Sequence, residues 1–269
     1  MPWRNTSDPY KILVSEVMLQ QTQVERVLPF YKNFLKEFPN AKALAKAPLS
    51  KVLKAWQGLG YNRRARYLQL SAQAAVKQYK GRFPKKVSAL EELPGIGPYT
   101  ARAVAAFAHN SPEVLIETNI RTVFLYFCYR KPPKNVLQGK DERELYSTSK
   151  HFSGVSDAEI LSLVAEALKK TKLEPREFYA ALMDYGAYLK KKGIKLNKQS
   201  KHYVKQSKFE GSARQLRGAI LRELLKKPQT KAELRKNLSH SAGEVERELE
   251  RLGKEGMLKK DKRRFGLAD

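Results

Sequence analysis

Apolar residues recur along this chain at helical spacing, in short runs broken by glycine, proline or polar turns. Segment 8–22, DPYKILVSEVMLQQT, predicts a helix. Asp8 stands where an N-cap belongs, Pro9 suits the first helical position, and Tyr10, Leu13, Val14, Val17 and Met18 share one broad face. The same period predicts helices near 24–37, 41–45, 49–57, 62–79, 86–93 and 98–109. Short breaks separate them: FPN at 38–40, GLG at 58–60 and LPGIG at 93–97. The pattern continues over 115–129, 140–150, 156–171 and 174–190. Strands and helices do not alternate, which argues against a parallel α/β fold.

A second unit begins near residue 212. RQLRGAILRELLKK at 214–227 is one amphipathic helix, Thr230 caps KAELRKNL, and Ser241 caps AGEVERELERLGKEG. MLKKDKRRFGLA then reads as two short strands around a basic turn. Three helices and a wing form the winged-helix pattern, whose third helix usually enters the major groove. Here that helix carries Glu244, Glu246, Glu248 and Glu250, with Glu255 just beyond, and is a poor groove reader. DNA anchoring through the wing and a protein-contact role both stay open.

Charge narrows the class. The 269 residues hold 53 Lys and Arg against 27 Asp and Glu, a formal net charge of +26. Such a surplus calls for a polyanionic partner, nucleic acid or an anionic membrane. No apolar run approaches the roughly 20 residues of a spanning helix, and the opening MPWRNTSDPY lacks the apolar core of a signal peptide. The expectation is therefore no membrane, DNA as partner, and a cytoplasmic, nucleoid-associated location. The single cysteine, Cys128, permits no intrachain disulfide and no cysteine cage, and reads as a small core hydrophobe. From Tyr188 to Arg217 there are ten Lys or Arg and one Glu. With His202, Tyr203 and Phe209 interleaved, this stretch is expected to contact phosphates through Lys190, Lys191 and Lys192; the alternative is a solvated linker.

Three stretches carry candidate chemistry. In LPGIGPYTARAVAAF, 93–107, Gly95 and Gly97 allow a tight turn into a helix bearing Thr100 on its first turn. Bare amides there suit a DNA phosphate. This is a helix-hairpin-helix signature. In SEVMLQQT, 15–22, Glu16 lies beside Ile12, Leu13 and Leu19. An apolar setting favours a protonated carboxyl, as a general acid requires; the alternative is a Glu paired with Gln20. In LIETNIRTV, 115–123, Glu117 and Asn119 stand at a helix start, where capping alone explains them.

Taken together, PWR at 2–4, DPYKILVSEVMLQQTQV at 8–24, WQGLGYNRRAR at 56–66, LPGIGPYTARAV at 93–104, IETNIRTV at 116–123 and ALMDYGA at 181–187 closely resemble the MutY-type adenine DNA glycosylases. The resemblance covers residues 2 to about 190. It implies that Glu16 protonates the adenine ring, that Gln21 wedges beside the flipped base with Gln20 and Arg4 at the DNA, and that Asn119 hydrogen-bonds near the sugar. Tyr99 stands where β-lyase relatives hold a lysine, which implies a monofunctional enzyme. Where the family has an aspartate that stabilises the cationic sugar, this chain has Glu117, one methylene longer.

Two further departures stand out. The family usually carries four cysteines in a C-x6-C-x2-C-x5-C run around an iron–sulfur cluster. Here those positions hold Lys190, Asn197, Ser200 and Gln206, none of which ligates iron as a thiolate does, so no cofactor and no metal are expected. Full-length members also carry a Nudix-like domain that recognises 8-oxoguanine, where this chain has the winged-helix pattern. The helix that precedes PWR in the family is expected to be missing or shortened.

The expected fold is all-α: a helix-hairpin-helix glycosylase core over 1–211 and a winged-helix-like domain over 212–269. The core divides into a six-helix lobe of about 9–121 and a second lobe of 1–8 plus 122–211. The expected function is monomeric excision of adenine mispaired with guanine or 8-oxoguanine in double-stranded DNA, by hydrolysis of the N-glycosidic bond. The alternatives are a glycosylase for thymine or uracil opposite guanine, and a catalytically weak DNA-damage-binding protein.

Overall fold

The computed structural model describes residues 1–129, 154–201, 203, 208–238 and 240–269. The helix expected at 140–150, His202 and Gln206 lie outside the described residues. Ten helices precede the C-terminal segment among the described residues: α1 (Pro9–Leu19), α2 (Val24–Glu37), α3 (Ala41–Lys46), α4 (Leu49–Trp56), α5 (Arg63–Tyr79), α6 (Val87–Glu91), α7 (Pro98–His109), α8 (Thr118–Cys128), α9 (Asp157–Lys170) and α10 (Pro175–Lys191). The fold is mainly helical, as the spacing predicts.

Two compact units emerge, one of Met1–Val104 with Gln206–Asp269, the other of Ala105–Lys205. The boundary falls within α7, not near 121, and residues 1–8 belong to the first unit. The reason is local. Trp3, in the turn Pro2–Asn5, is buried edge-on against Tyr31 of α2 at 5.2 Å. The C-terminal segment also joins the first unit, where Asp269 Oδ1 accepts the Ser50 amide at the start of α4 (2.7 Å).

In the first unit α1 is buried on almost every side through Ile12, Leu13, Val14, Val17 and Met18. Its start is fixed by Asp8, which accepts the Tyr10 amide at 2.9 Å. Phe34, Phe38 and Trp56 pack ring against ring at 4.8 and 5.7 Å. A buried polar tip needs a partner, and the Tyr10 hydroxyl donates to the Phe38 carbonyl at 2.7 Å.

The second unit packs α8 against α10, with α9 tied to α8 by a bidentate Arg121–Asp157 pair at 2.9 and 2.8 Å. The two main helices approach so closely at Gly186 that a Cβ there would stand 2.3 Å from the Asn119 carbonyl oxygen. Cys128 is half-buried, not a core residue, and burial pushes its thiol up.

The C-terminal segment comprises α11 (Ala213–Lys226), β1 (Gln229–Thr230), α12 (Lys231–Asn237), α13 (Ala242–Lys254), β2 (Leu258–Asp261) and β3 (Arg264–Leu267). Thr230 and Ser241 each cap the following helix through a reciprocal capping box. The wing is a three-stranded antiparallel sheet in the order β1-β3-β2. The third strand, β1, is two residues long and shows no alternation that a sequence could reveal. Among the described residues no helix is long and apolar enough to cross a membrane.

Candidate active site

The first unit holds one group of the candidate residues. Glu16 projects from the buried body of α1 and is 7% exposed. The Tyr99 hydroxyl, on the first turn of α7, donates to Glu16 Oε2 at 3.1 Å. Gln20 donates its side-chain amide to Thr100 Oγ1 at 3.4 Å. Thr100 is 3% exposed, so its side chain anchors Gln20 and is not itself a DNA contact. Gln21 is exposed with φ 56°, a left-handed turn that points the chain away from α1. Arg4 lies partly exposed in the turn before α1.

The hairpin glycines differ in what they do. Gly95 has φ +78°, and a Cβ there would sit 2.5 Å from Tyr67 Cβ, so only glycine fits. Gly97 has open space around the same position. The Ala101 amide makes its α7 bond to the Gly97 carbonyl (3.0 Å). The amides of the first turn before it lie outside that ladder, at the positive end of the helix. A cavity of about 420 Å³ opens beside the hairpin, lined by Leu13, Val17, Gln20, Arg64, Tyr67 and Gly95 among others.

Arg64 is the residue that sequence reading passed over. Its guanidinium donates to the carbonyls of Val17, Met18 and Gln20 at 2.8, 2.8 and 2.7 Å, and so caps the open end of α1. It lies over the Trp56 and Tyr61 rings at 5.4 and 5.3 Å. Burial pushes it down to about 10, which leaves it charged at neutral pH. Arg64 thus fixes the turn from which Gln20 and Gln21 project. Its partners at the end of α1 lie more than forty residues away in sequence, and no local pattern announces them.

The second unit holds a separate group of the candidate residues. Glu117 is the N-cap of α8, and its Oε1 accepts the amides of Asn119 (2.7 Å) and Ile120 (2.9 Å). The capping expectation is met with one oxygen, and Oε2 makes no hydrogen bond among the described residues. Burial raises the Glu117 carboxyl above its ordinary range, against the opposing pull of those amides and of Lys190 and Arg121. Lys190 is half-buried and donates to Asn119 Oδ1 at 2.6 Å. Burial lowers its value, which Glu117 partly restores. Lys190 therefore points inward to Asn119 and is not a surface phosphate contact. Lys191 and Lys192 are exposed, with Lys192 over the Tyr188 ring at 5.7 Å.

The cluster positions hold a donor set that does not fit iron. The Lys190 ammonium has no lone pair to give. Asn197 spends its amide on Thr122 Oγ1 at 2.8 Å. Ser200 is buried where the chain bridges to Val155. Asn197 thus ties the turn at Leu196–Gln199 to α8 by an ordinary hydrogen bond.

Comparison with known proteins gives a consistent picture. The adenine DNA glycosylase of Mycolicibacterium smegmatis is 45% identical over 124 residues, which are 46% of this chain and 42% of that protein. That of Buchnera aphidicola is 40% identical over 127 residues, 47% of this chain and 36% of the relative. The chain thus matches about two fifths of the length of these curated relatives. Among solved structures, a thermostable thymine-DNA glycosylase aligns at TM-score 0.55 and 27% identity, over 76% of this chain and 88% of that one. The family model described as HhH-GPD superfamily base excision DNA repair protein matches residues 14–167, more than half of the sequence. The chain belongs to the HhH-GPD superfamily of base excision DNA repair proteins.

Proposed function

We propose that the protein is a monofunctional DNA glycosylase that removes adenine from mispairs with guanine or 8-oxoguanine. The observation that carries the reading is the buried Glu16 carboxyl held by the Tyr99 hydroxyl beside the hairpin. The adenine DNA glycosylases named above, whose similarity covers less than half of this chain, point the same way.

In this reading the adenine is flipped out of the stack, with Gln21 filling the gap. Glu16 gives its proton to the adenine ring, the C1′–N9 bond breaks with its electron pair leaving on the base, and a cationic sugar remains. The Glu117 carboxylate stabilises that charge. Water adds to C1′ and loses a proton, leaving free adenine and an abasic site. Tyr99 at the hairpin is no amine and forms no imine with the sugar. The Gly95–Gly97 turn and the N-terminus of α7 hold a phosphate, while Lys191 and Lys192 add general attraction to DNA. The enzyme acts without an iron–sulfur cluster, because its residues at 190, 197 and 200 offer no thiolate.

A second reading is excision of thymine or uracil opposite guanine, favoured by the structural likeness to a thymine-DNA glycosylase. A single-turnover panel separates them: adenine opposite 8-oxoguanine, guanine and cytosine, with thymine and uracil opposite guanine. Release of adenine from the first two duplexes supports the proposal. Release confined to thymine or uracil replaces it, and no release on any duplex leaves a DNA-binding protein.

A further inference from the structure

The acidic third helix of the C-terminal segment turns part of its charge inward. Glu248 is 2% exposed and pairs with Arg217 Nε of α11 at 2.5 Å. Glu255 takes the other edge of the same guanidinium at 3.0 and 3.2 Å. Glu244 closes the capping box of α13, and Glu246 pairs with Lys231. Glu248 and Glu255 therefore tie the end of α13 to α11, Glu244, Glu246 and Glu250 leave the outer face of α13 acidic, and the basic face left over lies along α11.

That face is one wall of a cleft of about 740 Å³, within the range of pockets that take small ligands. Arg214, Gly218, Leu221 and Arg222 of α11 line it on one side. The α1–α2 turn, with Gln21, Gln23 and Arg26, and the α4–α5 turn, with Gln57, Tyr61 and Asn62, line it on the other. Arg26 donates to the Gly58 carbonyl and joins those two turns. The Tyr61 ring is held between the guanidinium groups of Arg64 and Arg214 at 5.3 and 5.0 Å, and Arg214 also donates to its hydroxyl. Arg222 is exposed at the cleft, whereas Arg251 of α13 is paired there with Glu248 at 3.6 Å.

This wall chemistry matches a nucleotide within a polynucleotide. Guanidinium groups suit phosphate. Amide side chains suit a base edge, which needs donors and acceptors together. The Tyr61 ring, covered by Arg64 and Arg214, fixes the Arg214 guanidinium at the cleft wall. An apolar peptide would not need the arginines, and a bare anion would not need the amides. The end of α1 says which strand is served. Gln20 bonds to Thr100 on the hairpin side, whereas Gln21, turned by its positive φ, lines the cleft. A duplex that straddles this turn, with one strand on the hairpin, lays its other strand on the Gln21 side.

We propose that the C-terminal domain binds DNA through α11, with the cleft taking a nucleotide of the strand opposite the one held by the hairpin, and that neither α13 nor the β2–β3 wing is the DNA contact. This rests on the reading of the protein as a DNA glycosylase, but its test needs no base excision. The binding of the full chain to a fully paired duplex is measured across a salt series. Arg222→Ala should flatten the slope of log K against log[salt] by about 0.9. The wing pair Lys262→Ala with Arg263→Ala should leave the slope unchanged. Arg222 takes no part in the Arg217–Glu248–Glu255 network, so its removal leaves the fold intact, with the melting temperature as check. Gln57→Ala should alter the ratio of affinities for duplexes with guanine and cytosine opposite adenine, and millimolar dGMP should not displace duplex. An unchanged slope in Arg222→Ala with a reduced slope in the wing pair overturns the proposal. Displacement of duplex by dGMP also overturns it, by making the cleft a site for free nucleotides. Loss of slope in a protein that releases no base supports the cleft while refuting the glycosylase reading.

Discussion

The Tyr99 hydroxyl donates to Glu16 Oε2 at 3.1 Å, and so links the first turn of the hairpin helix to the buried face of α1. A hydrogen bond to a carboxyl that transfers a proton is worth about 1.5–3 kcal/mol when the group is charged. Tyr99→Phe keeps the ring and removes only the hydroxyl. It should slow single-turnover base release by roughly 10- to 100-fold, with duplex affinity unchanged. Wild-type rates in this variant would mean that the contact does not position Glu16.

Glu117 combines a cap with a proposed catalytic charge, and the two roles separate by pH. Burial raises its value above 4.5, so the native state holds the proton more tightly than the unfolded chain. Such a group contributes stability that is fully present below about 4.5 and lost as pH rises through the raised value. Glu117→Gln keeps an oxygen for the Asn119 and Ile120 amides. Its melting temperature at neutral pH should therefore equal or exceed that of wild type, while base release falls by several powers of ten. The acid limb of the wild-type rate should lie at higher pH than an ordinary glutamate gives. If Gln costs stability and leaves the rate intact, Glu117 is a cap and nothing more. Glu117→Asp on the same duplex should retain activity or raise it.

Lys190 and its two neighbours make a contrast within one run. Lys190 is bonded to Asn119 at 2.6 Å, whereas Lys191 and Lys192 face solvent. Lys190→Met should reduce base release and leave the salt dependence of duplex binding as it is. Neutralising Lys191 and Lys192 should flatten the slope by up to roughly 1.8 and leave the rate at saturating protein alone. The reverse pattern would put Lys190 on the phosphates.

The helices were legible from their period, and where a cap stands at the start, as at Asp8–Pro9, Thr230 and Ser241, period and cap agree. The winged-helix pattern was legible too, except for β1, whose two residues carry no alternation. Lys190 was misread because a run of three lysines looks uniform in charge. A signal was present: Lys190 is four residues after Gly186 and shares its helical face, the one that meets Asn119. The inward Glu248 had the same kind of signal. Val245, Glu248, Leu249 and Leu252 form one buried stripe on α13. Arg64 had none, since its partners are main-chain carbonyls of a distant helix end.

Gly186 tests how tightly α8 and α10 pack within the second unit. A Cβ there would lie 2.3 Å from the Asn119 carbonyl oxygen, and backbone cannot yield as a flexible side chain does. Gly186→Ala should destabilise the protein by about 1–3 kcal/mol or more in urea unfolding, and what folds should release base slowly because Asn119 and Glu117 are displaced. Stability and rate both equal to wild type would show that α8 and α10 stand farther apart.

The most direct test of the account is Glu16→Gln. The substitution preserves size and hydrogen-bonding capacity at the Tyr99 hydroxyl and removes the proton to be given. Single-turnover release of adenine opposite 8-oxoguanine is measured at saturating protein, alongside affinity for the same duplex. The account predicts that release is abolished while affinity stays within a few-fold of wild type. Adenine release at the wild-type rate by Glu16→Gln would contradict it.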